Sequence, residues 1–571
     1  MTVAPKRPAA MALAAHFPER TEAEWRELVA GVVNKGRPEG EHLGPDDAVA
    51  SMRSRIDGGL VVEPLYTRPA EPTPLGVPGE MPFTRGRAVR DADVPWDVRQ
   101  LHDDPDAAAT RSSVLADLES GVTSVWLHVG ADGLAAADVA EALADVRLDL
   151  APVVVSSWDD QVGAADALYA VLSGSAAASG NLGHDPLGAA ARTGAPADLS
   201  PLAGAVRRLV GRAELRAVTV DTRPYAEAGA SVTDELGFAL ATGVAYLRHL
   251  EGEGVEVVDA FRHIEFRVSA SADQFLTAAA LRALRRAWAR VGESVGVPEA
   301  SRGAFTHAVT SGRMFSRDDA WTNILRSTLA TFGASLGGAD AITVLPFDTV
   351  AGLPTAFSRR IARNTQIILA EESYVARVTD PAGGAWYVEA LTDDVATAAW
   401  AVLQEVERGG GMVEALANGA VAQRISADVA ARDHALATRA QPLTGVSTFP
   451  LAGEKPLGRV RRAALPTQAG ALLPHRDSAI FEALRDRSAA FAAEHGHPPR
   501  VAVPTLAVPR AADRRVDAVN ILTVAGIEAA DDGTDVAASL TATDTGYEGV
   551  AGDMDVVAFL SALLDETGAP A

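Results

Sequence analysis

From about residue 113 to residue 440, short β-branched and apolar runs alternate with longer segments of helical periodicity. The short runs lie at residues 122–129, 150–155, 217–221, 264–268 and 341–345. Strands that alternate with helical segments indicate βα units with a parallel sheet. The stretch is long enough for a (β/α)8 TIM barrel, which needs roughly 250 residues. The sequence therefore predicts an α/β fold with such a barrel, and an open parallel sheet is the alternative on pattern alone.

Two of these strands, at residues 217–221 and 264–268, have one strongly polar face. Successive side chains of a strand point to opposite sides, so the apolar positions should face the helices and the others the bore. The polar positions hold Asp221, Arg223, His263, Glu265 and Arg267. An ionic plug of paired charges is the favoured interpretation. A general acid/base site at Asp221, Glu265 and His263 is the alternative.

An amphipathic helix is predicted near the start of the chain, because Thr21 and Glu24 have the spacing of a capping box. An apolar stripe follows at helical spacing and consists of Trp25, Leu28, Val29 and Val32. The next segments lead into a Gly/Pro-rich stretch at residues 75–86, which offers no local cover for the stripe. The helix is therefore predicted to be an arm that packs across a subunit interface or on its own barrel.

Two irregular segments are predicted from turn-forming residues. GNLGHDPLG at residues 180–188 is predicted to be a connecting loop. Proline and glycine recur at residues 441–474, together with the basic RVRR at 459–462. This composition predicts a linker that wraps a surface.

Composition excludes several functions. The chain of 571 residues has a formal net charge of −24, so nucleic-acid phosphates would be repelled. It has no cysteine and therefore no thiol nucleophile, disulfide or thiolate metal site. Its lysines, Lys6, Lys35 and Lys455, lie outside the barrel region, which excludes a Schiff-base lysine there. No apolar run approaches the ~18–20 residues of a membrane span, so a cytoplasmic protein without a membrane partner is predicted.

A series of short motifs is more specific than the strand pattern. SRRIARNTQ at residues 358–366 and DPAGG at 380–384 are the most specific. Shorter matches are PLYT at 64–67, PFTRG at 82–86, EAGAS at 227–231, TSG at 310–312 and LPTAFS at 353–358. Together these motifs resemble the methylmalonyl-CoA mutase family. The resemblance implies a barrel domain from an adenosylcobalamin-dependent isomerase that interconverts methylmalonyl-CoA and succinyl-CoA.

The chain departs from the family's catalytic pattern at each position that carries chemistry. A Tyr-His pair precedes the EAG element in catalytic chains, whereas this chain has Arg223 and Pro224, and proline cannot polarise a carbonyl. VPWDVRQ replaces RPWTIRQ, and Asp91 stands where a tyrosine drives cofactor homolysis. In TVLPFDTV, Thr349 replaces the glutamate that lies against the corrin. The resemblance thus implies that this chain has no catalytic, cofactor-binding or metal-binding residues of its own.

The C-terminal segment resembles the start of the family's cobalamin-binding domain but is too short. It contains no DxHxxG loop, which supplies the cobalt ligand in the family. Roughly seventy residues remain after Pro499, and a doubly wound domain needs about 100 or more. We predict a shortened, degenerate flavodoxin-like domain. The predicted divisions are an arm at 1–90, the barrel at 91–440, a linker at 441–497 and this domain at 498–571.

The resemblance implies a non-catalytic, structural small subunit of a heterodimeric bacterial mutase. A homologous large subunit would hold adenosylcobalamin and the acyl-CoA, while this chain would bind no cofactor. A subunit of another acyl-CoA mutase, such as isobutyryl-CoA mutase, is an alternative because the partner would choose the substrate. An independent acid/base barrel enzyme is the third hypothesis.

Overall fold

The structure is a computed structural model. It describes residue 18 and residues 20–71, 73–91, 94–506, 508, 510–531, 536, 538–543, 546–548, 550 and 554–570. The chain divides into two compact units, residues 1–68 and residues 69–571. In these described parts of the chain, none of the helices combines the length and the hydropathy needed to cross a bilayer.

The first unit is a small helical arm with a short hairpin. Its elements are α1 (Glu22–Val33), α2 (Pro45–Ala50), β1 (Ser54–Arg55) and β2 (Val61–Val62). The predicted capping box begins α1: the Glu24 N–H donates to Thr21 Oγ1 at 3.2 Å, and the Thr21 N–H donates to Glu24 Oε2 at 2.8 Å.

The amphipathic helix is confirmed, but the prediction that it lacks a local partner is wrong in part. Helix α1 packs on α2, and Arg26 Nη1 lies 2.8 Å from Asp46 Oδ1. A short loop connects α1 to α2. The Asn34 side chain holds this loop, because it donates to the Leu43 carbonyl and accepts from the Leu43 N–H. The stripe stays largely open all the same. Leu28 is 69% exposed and Val32 is 63% exposed, while Trp25 and Val29 are half-buried.

The second unit begins with eight parallel strands and their helices. In chain order the elements are β3 (Asp97–His102), α3 (Ala107–Leu118), β4 (Ser124–His128), α4 (Val139–Ala142), β5 (Val153–Ser156), α5 (Gln161–Leu172), β6 (Gly180–His184), α6 (Pro186–Thr193), α7 (Pro201–Arg208), β7 (Leu215–Asp221), α8 (Arg223–Glu227), α9 (Val232–Gly252), α10 (Val257–His263), β8 (Ile264–Ala270), α11 (Gln274–Ser294), β9 (Phe305–Thr310), α12 (Thr322–Leu336), β10 (Ala341–Thr343), α13 (Ala356–Ile367), α14 (Trp386–Arg408), α15 (Met412–Ala417) and α16 (Ala420–Ala437). A π-helical turn, Ile368–Glu372, extends α13.

Strands β3 to β10 close into a barrel in sequence order. Each strand pairs in parallel with the next, and β10 returns to β3 through Ala341 opposite Asp97. The (β/α)8 barrel is therefore confirmed, and the open sheet is excluded. All five predicted strand runs overlap observed strands, namely β4, β5, β7, β8 and β10.

The prediction of a loop at residues 180–188 is wrong, since residues 180–184 form β6 and α6 begins at Pro186. Its glycines serve close packing against β5. A Cβ atom at Gly180 would lie 1.8 Å from Val153 O, and one at Gly183 would lie 1.9 Å from Val155 O. Glycine occurs in turns, but it also occurs in strands where another backbone approaches closely, and the second case applies here.

The most specific family-like motifs form part of the scaffold around the barrel. Trp96 Nε1 donates to Gln366 Oε1 at 3.0 Å and so fastens α13 to the start of β3. The aspartate of the DPAGG motif, Asp380, is buried and pairs with Arg85 at 2.9 Å and with Arg282. These ion pairs join three distant parts of the chain, and the motifs therefore have a structural role in this chain.

A small α/β layer follows the barrel. Its elements are α17 (Ala479–His495), β11 (Arg500–Ala502), α18 (Ala511–Val524), β12 (Glu528–Ala530), β13 (Ala538–Ser539), β14 (Ala542–Thr543), β15 (Gly546–Tyr547) and α19 (Val556–Glu566). Strands β12, β11 and β13 form a parallel sheet in that order, and β14 pairs with β15 as a hairpin. The apolar core of this layer also includes Leu436 and Val446, so the layer is anchored to the end of the barrel domain.

Candidate functional site in the barrel

Charged side chains fill the upper part of the bore, where strand β7 ends. Arg223 donates to Asp221 through Nε at 2.9 Å and through Nη2 at 2.6 Å. Arg267 on the neighbouring strand β8 donates from Nη1 to Asp221 Oδ2 at 3.0 Å. Burial alone would raise the pKa of Asp221, but the charges of Arg223 and Arg267 outweigh it and hold that pKa below its ordinary value. Asp221 is therefore an ionised carboxylate between two guanidinium groups.

A second ion pair lies closer to the amino ends of the strands. Arg99 Nη1 on β3 lies 3.0 Å from Glu265 Oε1 on β8, across the bore, and both side chains are buried. Asn181 on β6 donates to the other oxygen, Glu265 Oε2, at 3.2 Å. Both carboxylate oxygens of Glu265 are thus satisfied, which is what allows a buried carboxylate to persist.

His307 and Trp126 join the two groups of charges. His307 Nδ1 accepts from Arg267 Nε at 3.1 Å, and its Nε2 lies 2.8 Å from Thr343 Oγ1. Burial, followed by the nearby Arg99 and Arg267, lowers the pKa of His307 well below its ordinary value, so the ring is neutral. The Trp126 ring lies 4.1 Å below the Arg267 guanidinium and 4.5 Å from that of Arg223, within the range of cation–π attraction.

We call this set the barrel plug; it comprises Arg99, Trp126, Asp221, Arg223, Glu265, Arg267 and His307. Four of the residues expected in the bore belong to it. His263 does not, because α10 ends at that residue and β8 begins only at Ile264. Its Nε2 lies 2.8 Å from Arg262 Nη2, and no contact among the described residues joins it to Asp221 or Glu265.

Sequence reasoning missed Arg99, Trp126 and His307. In β3 polar residues occur on both faces, Arg99 on one and Gln100 and His102 on the other, so alternation does not single out Arg99. In β9 the residues that alternate with His307 are Thr306, Ala308 and Thr310, whereas His307 shares its face with the apolar Phe305 and Val309, so the pattern does not point to His307. Trp126 gives no polar signal either, because an aromatic residue in a strand is usually part of the apolar core.

An extended segment, residues 459–477, lies over the carboxyl-terminal mouth of the barrel, and we call it the mouth strap. It begins on the loop after β10, where Arg459 Nε lies 2.6 Å from Asp348 Oδ2 and Arg462 Nη1 donates to Thr349 O at 2.7 Å. Gly352 permits this approach, because a Cβ atom there would lie 2.2 Å from Val460 O. The predicted linker that wraps a surface therefore crosses the mouth.

The strap continues over the segments that follow β6, β7 and β9, including the last residues of α6 and α8. Main-chain bonds attach it in turn, from Gln468 N to Thr193 O at 2.6 Å, from His475 N to Glu227 O at 2.7 Å and from Asp477 N to Arg313 O at 3.1 Å. Beneath it remains a cavity of about 130 Å³, lined in part by Arg223, Pro224 and Arg462. Small-molecule sites usually occupy about 300–1,000 Å³, so this 130 Å³ space suits little more than a few water molecules. A separate cavity of about 420 Å³ borders Gln468 of the strap and is lined in part by Trp158 and His184.

The other positions singled out from the sequence are not members of the plug. Pro224 is buried in the first turn of α8, and Asp91 is exposed ahead of β3. Thr349 follows the buried Asp348 in the loop after β10, beneath the strap. In the described residues, no group of three or more histidine, aspartate or glutamate side chains is placed to hold a metal ion.

The fold and the plug define a (β/α)8 barrel protein whose bore is filled by paired charges and whose mouth is crossed by its own chain. The methylmalonyl-CoA mutase family profile matches residues 211–471, from the approach to β7 into the mouth strap. A methylmalonyl-CoA mutase small subunit from Streptomyces virginiae is 46% identical over 552 residues, covering 95% of this chain and 88% of that protein. The chain belongs to the methylmalonyl-CoA mutase family.

Within the family, this chain is more similar to proteins named small subunits than to one named simply as the mutase. A small subunit from Propionibacterium freudenreichii subsp. shermanii is 46% identical over 488 residues, covering 84% of this chain and 76% of that protein. A methylmalonyl-CoA mutase from Cereibacter sphaeroides is 31% identical over 486 residues, covering 77% of this chain and 68% of that protein. The small-subunit names imply a larger partner chain.

Proposed function

We propose that this chain is the non-catalytic, structural subunit of an adenosylcobalamin-dependent methylmalonyl-CoA mutase in the cytoplasm. A homologous large subunit would bind the cofactor and the acyl-CoA and carry out the isomerisation. The observation that carries this proposal is the barrel plug, in which Glu265 is paired with Arg99 across the bore and Asp221 is paired with Arg267 on the neighbouring strand. A bore filled in this way leaves no straight passage for a pantetheine arm.

The residues that would meet adenosylcobalamin in this chain do not fit it. At the corrin-facing position, the Thr349 carbonyl accepts from Arg462, and the preceding carboxylate of Asp348 pairs with Arg459. The C-terminal segment from Pro498 onward contains no histidine that could bind cobalt. These features support a chain that leaves the cofactor to its partner.

We further propose that residues 498–571 are a shortened domain of the cobalamin-binding type. Support comes from the parallel order of β12, β11 and β13 with helices alongside, which is a fragment of a doubly wound sheet. Its core residues, among them Val501, Ile521 and Leu560, are fully buried. The remnant would then serve as packing for the barrel rather than as a ligand site.

The plug also weighs against an independent acid/base enzyme. A general acid or base needs a free lone pair or proton near a substrate, whereas Asp221 and Glu265 have their oxygens engaged by arginine and asparagine. The partner would select the acyl-CoA, so a subunit of an isobutyryl-CoA mutase would have the same features at these positions.

We expect the purified chain alone to bind no adenosylcobalamin. Titrating the cofactor with the chain should leave its visible absorption bands unchanged apart from dilution, because the strap occupies the corrin-facing loop. The large subunit, titrated in parallel, should shift the bands. A stoichiometric shift produced by this chain alone would contradict the proposal.

We also expect the bore to stay closed to acyl-CoA. Crystals of the heterodimer soaked with CoA should show density along the partner's barrel and none between Arg99 and Glu265 of this chain, since entry would have to break buried ion pairs. CoA density threaded through this chain's bore would rule out the plug as a barrier.

A further inference from the structure

The outer face of α12 is uncharged and mostly apolar, which is unusual for a helix on the outside of a barrel. Helix α12 lies against α11, and Gly333 permits that contact, because a Cβ atom there would lie 2.7 Å from Gln274 O. The residues that remain partly or fully accessible on the opposite side form what we call the α12 face: Trp321, Ile324, Leu325, Thr328, Leu329, Phe332 and Leu336.

The α12 face carries no charge. The single ionisable residue of the helix is Arg326, and it points inward, donating from Nη1 to Ser316 Oγ at 2.8 Å and from Nη2 to Thr444 O at 2.7 Å. A helix that packs on a core with one side is normally polar on the other. In a chain of net charge −24, an uncharged helix face of this length indicates a surface that another molecule covers.

An aromatic cluster holds one end of the face in place. Trp321 stacks on the buried Phe347 with ring centres 4.8 Å apart, and Phe357 of α13 lies edge-on to Trp321 at 6.4 Å. Trp321 is nevertheless 51% exposed, Leu325 is 63% exposed and Phe357 is 44% exposed. Large side chains that are rigid before binding lose little conformational entropy on burial, and aromatic anchors of this kind dominate binding energies.

We infer that the α12 face, extended by Phe357, is the centre of the interface with the large subunit of the mutase. This inference rests on the function proposed above, which requires a tightly held homologous partner. The exposed apolar area is on the order of 500 Å², at the upper end for a monomer surface. A stable interface needs about 800 Å² or more on each side, so the face supplies the apolar core and its neighbours the rim.

The occupant is the large subunit rather than a second copy of this chain. Two copies would each bring a net charge of −24, and that long-range repulsion opposes self-association. A related barrel chain would present its own corresponding helices, so two similar apolar faces would meet about a pseudo-twofold axis, as in isologous contacts. Obligate interfaces of this sort are more hydrophobic than transient ones.

The test is the variant Leu325→Glu, measured against the control Leu150→Glu. Both leucines are strongly exposed, at 63% and 71%, so neither change should disturb folding, and thermal unfolding of each isolated chain should match the parent. Affinity for the purified large subunit is measured by biolayer interferometry. We expect Leu325→Glu to weaken binding at least about 100-fold, because a carboxylate would be buried in an apolar contact, and Leu150→Glu to stay within about twofold.

Each outcome separates the interface from the underlying function. Equal affinity of Leu325→Glu and the parent would overturn the α12 face while leaving the structural-subunit proposal intact. Failure of the parent chain to bind the large subunit at all would overturn both. Sedimentation of the isolated chain as a dimer that Leu325→Glu converts to a monomer would assign the face to a second copy and refute the inferred partner.

Discussion

Replacing Asp221 by asparagine is expected to lower the free energy of unfolding of the isolated chain by about 3–5 kcal/mol. The change leaves Arg223 and Arg267 buried together without the carboxylate that lies between them. Breaking a buried pair costs far more than the pair contributes by itself, because the remaining charge keeps its desolvation penalty. Urea unfolding at neutral pH, followed by circular dichroism, measures the loss.

The matched control is Asp166→Asn, which removes one partner of the Arg208–Asp166 pair. Those side chains are 41% and 53% exposed, and surface pairs contribute about 0–1 kcal/mol. The control should therefore leave the unfolding midpoint almost unchanged. A loss of similar size in both variants would mean that Asp221 is not held in a water-excluded plug.

The difference in unfolding free energy between the parent and Asp221→Asn should depend on pH in a way set by the direction of the Asp221 pKa shift. Its pKa is lower in the folded chain than in the unfolded chain, where an aspartate titrates at about 3.9. The stabilisation is therefore fully present above that value and is lost as the pH falls toward the lower, folded value. The difference between parent and Asp221→Asn should be constant from about pH 5 to 8 and shrink only in strong acid.

The double change Trp25→Ala and Leu28→Ala is expected to weaken the heterodimer and to reduce mutase activity through loss of association. We propose that this stripe of α1 packs across the subunit interface, since Leu28 and Val32 stay exposed even with α1 resting on α2. Truncation of a well-packed Trp or Leu costs about 2–5 kcal/mol each, which corresponds to a loss of affinity of at least about 100-fold. Co-purification and activity at several subunit concentrations separate dissociation from lost chemistry.

The variant Arg223→Ala provides the contrasting case. It alters the plug but should leave turnover by the assembled partner largely unchanged, because the proposed role of Arg223 is confined to this chain's bore. Unchanged association of the Trp25 and Leu28 variant would remove the interface role of α1. A collapse of turnover without dissociation in Arg223→Ala would instead support acid/base chemistry in this barrel.

Much of the barrel could be predicted because its signals are local. Alternating β-branched runs located five strands, and parallel strands with helical crossovers admit few architectures. The strand β6 was missed because Gly180 and Gly183 carry no side-chain pattern and are required by the closeness of β5. That requirement depends on residues about 30 positions earlier in the chain, which local turn propensity does not reflect.

The site was only partly predictable for a related reason. Alternation correctly placed Asp221, Glu265 and Arg267 on inward faces. It also assigned His263 to the strand, although that residue is the last of a helix. The strap over the mouth joins residues about 100 positions apart, such as Asp348 and Arg459. Long-range pairs of this type leave no trace in spacing or periodicity.

The sequence by itself determined the alternation of strands and helices, the capped arm helix and the polar faces of two strands. These follow from side-chain chemistry and short-range periodicity, which do not depend on distant partners. Only the tertiary structure decided that Arg99, His307 and Trp126 complete the plug, that the chain's own strap crosses the mouth, and that α12 keeps an uncharged outer face. Each of those depends on which strands and helices become neighbours when the barrel closes, because closure brings together side chains that the sequence keeps far apart.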